Sequence, residues 1–119
     1  MTWYAAHIVM AVLFKDGDQN KYPLSEHVIL IKAKSDIDAY KKALQIGKDA
    51  EGDAKGTFSW ELRPASWVCA GIRKIIETEN PKERPDNGTE ITYTEFELRD
   101  EATLKKFVSG KPVSIHYEK

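Results

Sequence analysis

Between residues 3 and 14 the chain reads WYAAHIVMAVLF, apolar at both alternating sets of positions. An extended run of this kind predicts a strand covered on both sides. One face carries Trp3, Ala5, Val9, Ala11 and Leu13. The other, bulkier, carries Tyr4, Ala6, Ile8, Met10, Val12 and Phe14 and is assigned to the helix side. His7 stands on the small-residue face. Residues 15–23, KDGDQNKYP, are turn chemistry. Residues 25–34 resume the alternation, with Val28 and Leu30 on one face and Ile29, Ile31 and Ala33 on the other, so the short link makes an antiparallel hairpin.

The period then changes. In residues 35–52, SDIDAYKKALQIGKDAEG, the positions Ile37, Tyr40, Ala43, Leu44 and Gly47 form one stripe at helical spacing. Ser35 supplies the N-cap, and Asp36 and Asp38 favour the positive end of the helix dipole. Gly47 reads as a close helix–sheet contact or a cap. A short strand over 57–62 follows, then a break at Arg63-Pro64, a strand over 67–77, and a loop over 80–88 bearing two prolines and Asn-Gly. That loop is expected to be exposed and the most mobile segment, so that removing residues 82–84 barely changes stability. Residues 89–98 predict a fifth strand, Asp100 caps a short helix that Gly110 ends, and residues 112–117 predict an edge strand.

The resulting order, β-β-α-β-β-β-α-β, predicts an α+β fold: an antiparallel sheet of five to six strands with one long and one short helix packed on one face. The expected core draws on Ile8, Met10, Val12, Ile29, Ile31, Tyr40, Ala43, Leu44, Val68, Ile72 and Ile76. Two helices cover one face only, and leaving the other in water would expose a large apolar patch. A second copy of the chain is the simplest cover, which places His7 and Val9 at a homodimer interface with His7 hydrogen-bonded across or beside the two-fold axis.

Length and composition narrow the picture. A chain of 119 residues with 31% charged and 41% hydrophobic residues reads as one globular domain over 1–119. Eighteen basic against nineteen acidic residues leave a net charge of −1, which gives no electrostatic footprint for nucleic acid or an anionic membrane. Cys69 is the only cysteine, so neither an internal disulfide nor a thiolate metal site is expected. The start of the chain lacks the pattern of a signal peptide, and the longest apolar stretch, residues 8–14, is far short of a membrane helix. A cytoplasmic setting is the expectation.

WYAAHIVMAVL, LSEHVILIKAKSDIDAYKKALQIGKDA and WVCAGIRKIIE followed by DNGTEITYTEFEL together resemble a family of small bacterial proteins classed as a domain of unknown function. The likeness spans residues 3–98 and leaves residues 99–119, the last helix and strand, as an addition. The resemblance implies the fold and carries no catalytic residues.

Candidate chemistry is sparse. His7, His27 and His116 form no metal-ligand spacing, although His7 and His27 lie on neighbouring strands where they could face each other. No phosphate-cradling loop or nucleophile elbow is present, so no cofactor and no metal is expected. The most suggestive surface is TFSWELRPASW, in which Trp60 and Trp67 flank Glu61 and Arg63 around a proline turn. Aromatic and arginine side chains carry most of the energy at protein interfaces. The same residues also fit a plainer role, with the tryptophans closing the core and Glu61 and Arg63 forming a surface ion pair worth about 1 kcal/mol or less.

The sequence therefore points to a non-enzymatic bacterial interaction or accessory protein acting as a homodimer, in a defence or toxin-immunity context. The alternative is a small-molecule-binding or enzymatic domain with a pocket between the sheet and the first helix, lined by Tyr4, His7, Tyr40 and Trp60.

Overall fold

In the computed structural model, which describes residues 1–117, β1 (Thr2–Phe14) is the hub of the sheet. Residues 118 and 119, the end of the expected C-terminal addition, lie outside the described residues. β1 pairs on one side with β2 (Leu24–Ala33) and on the other with β4 (Arg63–Glu77), and β4 pairs with β3 (Ser59–Trp60). The spatial order is β2–β1–β4–β3, antiparallel throughout. A strand apolar on both faces belongs in the middle of a sheet, and β1 takes that place.

The face carrying Tyr4, Ala6, Ile8 and Met10 packs under α1 (Asp36–Asp49). Ser35 caps this helix, its side chain accepting from Asp38 N–H at 3.1 Å. The stripe that α1 buries is Ala39, Ala43 and Gly47. The expected stripe is corrected: Ile37 and Tyr40 are exposed and Leu44 is half-buried. Small residues let the helix axis approach the sheet, and the bulkier ones flank that contact. At Gly47 the approach is so close that an added Cβ would lie 2.5 Å from Cys69 Sγ and 3.2 Å from Ile8 Cγ2. Val68 and Ile76, expected in the core, pair with Ala11 and Ala5 and therefore share the face turned away from α1.

The sheet has four strands, fewer than the five or six expected. Arg63-Pro64 opens β4 instead of ending a strand. The preceding Glu61 and Leu62 adopt left-handed conformations (φ 50° and 64°) and close a two-residue hairpin turn. Residues 89–95 make no strand. Only β5 (Phe96–Glu97) is extended and paired, with β6 (His116–Tyr117), in a ribbon separate from the sheet. The second helix, α2 (Glu101–Val108), packs there and not on the sheet: Phe107 meets Phe96 edge-on with ring centroids 5.0 Å apart. The radius of gyration, 17.2 Å, exceeds the roughly 13–14 Å of a compact chain of this length, as expected if this small unit stands off the sheet.

The segment after β4 folds back instead of waving free. Trp3 N–H donates to Pro81 O at 2.7 Å, Lys82 Nζ donates to Thr2 Oγ1 at 2.6 Å, and Glu79 N–H donates to Glu90 O at 3.0 Å. Residues 82–84 are exposed, as expected of this loop, and Lys82 ties it to the start of β1.

Candidate functional site

Two irregularities in β4 shape the face turned away from α1. His7 pairs with Lys74 and Ile8 with Ile72, which leaves Arg73 as an extra residue; a second shift between Val9 and Met10 does the same for Ala70. On this face His7 is 2% exposed, with both ring nitrogens engaged within the chain. Nδ1 lies 2.6 Å from Glu26 Oε2, and Nε2 lies 2.6 Å from Thr92 Oγ1. Arg73, the extra residue of the bulge, donates to the same carboxylate at 3.0 and 3.3 Å.

The proton arrangement follows from the partners. An ionised carboxylate only accepts, so Nδ1–H donates to Glu26, and on a neutral ring Nε2 accepts from the Thr92 hydroxyl. Partial burial alone would raise the Glu26 pKa. The bonds from His7 and Arg73 outweigh it and hold the carboxyl below its usual range. The order hydroxyl, imidazole, carboxylate is that of a nucleophile with its base and orienting group. Whatever its chemistry, the buried imidazole joins three distant parts of the chain through these bonds. What it holds is the segment after β4. Thr92 lies on His7, and the next residue, Tyr93, takes Lys74 Nζ on both its carbonyl and its ring.

This arrangement changes the expectations for His7. The hydrogen bond expected across a two-fold axis is made to Glu26 and Thr92 instead, and part of the face expected to need a partner subunit is covered by the chain itself. Ala5 and Ala11 are buried there, and Val9 is half-buried. His7 and His27 do not meet, because His27 pairs with Ile8 and faces the helix side. Among the described residues no group of three or more potential ligands is arranged to hold a metal ion.

The Trp60–Trp67 surface resolves into separate contacts. The Trp60 and Trp67 rings meet edge-on with centroids 6.0 Å apart, and Phe58 lies 6.0 Å from Trp67, so the three close one end of the sheet. Glu61 and Arg63 do not pair with each other. Glu61 takes Lys21 at 2.8 Å, while Arg63 bonds Asp16 at 2.8 and 3.0 Å and stacks on Phe14. The Arg63 bonds hold the Asp16 carboxyl below its usual range.

The four expected pocket residues do not converge. Tyr4 is in the core, His7 faces the opposite side, Trp60 is in the aromatic cluster, and Tyr40 is 45% exposed over Ile72. A cavity of about 370 Å³ does lie between the sheet and α1, nearer the helix C-terminus, lined by Ile8, Met10, Ser25, His27, Ile29, Ile46, Gly47, Ala50 and Trp67. Only the change of cover marks it in the sequence: the helix ends while the strands beneath it continue.

Residues 3–93 match a family described as a domain of unknown function, DUF4288. The chain belongs to this family. The matched stretch takes in the sheet, α1 and the returning segment through Thr92 and Tyr93, so the latch on His7 is part of the DUF4288 domain, while β5, α2 and β6 fall outside the match. No curated protein and no solved structure matches the chain. Among the described residues no helix is long and apolar enough to cross a membrane.

Proposed function

We propose that this DUF4288 domain is an interaction module that works as a homodimer, with two copies joined along the free edge of β2. The observation that carries the reading is the character of that edge. β2 is the outermost strand, ten residues long and paired to β1 without a bulge. Regular edges of this length are templates for another strand. Pro23 O accepts from Val12 N–H, so in the alternating ladder the odd-numbered residues of β2 face β1 and the backbone groups of Leu24, Glu26, Val28, Leu30 and Lys32 face outward. Leu24, Val28 and Leu30 are also 61%, 40% and 40% exposed.

The edge is self-complementary. An antiparallel copy centred on Ile29 brings Glu26 opposite Lys32 and Val28 opposite Leu30, on both sides of the two-fold axis. Lys32 and Lys34 blunt the edge against an arbitrary strand, whereas against this copy Lys32 meets an acid. Lys42 Nζ, which caps Lys32 O at 2.9 Å, has to swing aside. An accessory role in a bacterial defence or toxin-immunity setting belongs to the same proposal and rests on the chain's small size.

Light scattering of the full chain at micromolar concentration should give twice the 13.5 kDa chain mass. Lys32→Glu, which sets like charges opposite each other, should shift the species to monomer with the circular dichroism spectrum unchanged. A monomeric unmutated chain, or a Lys32→Glu dimer of undiminished affinity, would overturn the edge pairing.

A further inference from the structure

We propose that the cavity between α1 and the sheet is a binding site for a small uncharged aromatic compound carrying one hydrogen-bonding group, of the phenol or indole type. It stands on the helix-side face of β1 and β2 and so does not depend on the β2 edge.

The cavity has a structural cause. α1 is drawn onto the sheet by Ala39, Ala43 and Gly47 and ends at Asp49, after which Gly52 bridges to Trp67. β1 and β2 continue beneath, so Met10, Ser25 and His27 lie past the helix cover. The resulting volume, about 370 Å³, is at the small end of ligand pockets and suits one or two rings. Its walls, which include Ile8, Met10, Ile29 and Trp67, offer a thioether and an indole face, both favourable to a flat aromatic ring.

The polar groups set the class of ligand. Among the described residues of the lining, Ser25 and His27, two positions apart on β2, supply the polar groups besides the Trp67 indole N–H, and they hydrogen-bond each other at 2.8 Å. Together they provide one place to receive a hydroxyl or N–H. Among the described residues no Lys, Arg, Asp or Glu lines the walls, so a charged ligand would lose hydration without gaining an ion partner. A carboxylate would in addition face the partly negative C-terminal end of α1. An apolar pocket with a few convergent polar groups is the usual form of a small-molecule site.

The test is a titration of the isotope-labelled full chain with indole and with benzoate, followed by backbone amide shifts. Indole should move the amides of Ile8, His27, Gly47 and Ala50. Ala50→Phe, which fills the cavity from the helix end, should weaken binding at least tenfold. Ser25→Ala with His27→Ala should weaken indole about tenfold, the loss of one hydrogen bond. Ile46→Phe fills the cavity from another wall and replaces Ala50→Phe should that variant fail to fold. Absence of shifts at millimolar indole, shifts mapping elsewhere, indifference to the filling variants, or benzoate binding as tightly as indole would overturn the proposal.

Discussion

His7 receives two 2.6 Å contacts from parts of the chain far apart in sequence, Glu26 on the neighbouring strand and Thr92 on the segment that follows β4. Replacing the hydroxyl by a methyl group keeps the shape and leaves a buried ring nitrogen without its partner. Thr92→Val should therefore cost about 1–3 kcal/mol in urea unfolding and speed proteolytic cleavage within residues 78–95. A cost below a few tenths of a kcal/mol would show that Thr92 does not latch this segment. Part of the cluster was legible in the sequence: the alternation puts His7 on the small-residue face, whereas the hairpin suggested His27 as its neighbour, and the register instead brings Glu26 to it. Thr92 was not legible. It is 85 residues from His7, in a stretch whose alternation reads as a strand, and its bond is set by how the chain returns over the sheet, which no local period encodes.

Among the elements, α1 with its Ser35 cap and β1 with its two apolar faces follow directly from spacing and capping chemistry. The buried stripe of α1 does not, because hydrophobicity ranks Ile37, Tyr40 and Leu44 above alanine and glycine, while the distance between helix and sheet selects the small residues. Arg63-Pro64 misleads for a related reason. Proline breaks a strand only where its N–H is needed, and the start of β4 does not need it. The hairpin it adjoins is strained, since Glu61 and Leu62 occupy left-handed conformations without being glycine or asparagine, and Leu62 is 97% exposed. Exchanging the pair for Asn-Gly should raise stability by about 1 kcal/mol in urea. The lost Glu61–Lys21 contact is exposed and weighs little against that gain. A lower unfolding midpoint would contradict the assignment of strain to this turn.

At the scale of the molecule, the apolar surplus on β1 governs the architecture. α1 covers one face, and the returning segment through Thr92 covers part of the other, a role for which the sequence alone suggested a second subunit. Apolar surface remains uncovered at Leu13 and along β2, where Leu24, Val28 and Leu30 line an edge whose backbone groups at even positions point away from β1. Edge pairing between two copies is thus the central claim, and amide hydrogen exchange tests it most directly. In either state Ile29 and Ile31 are bonded to β1 and should exchange slowly. In the paired state Glu26, Val28 and Leu30 should be protected as well, and should lose that protection on dilution. Fast exchange at Glu26, Val28 and Leu30 at every concentration, with Ile29 and Ile31 still slow, would mean that the edge stays open and would contradict the account.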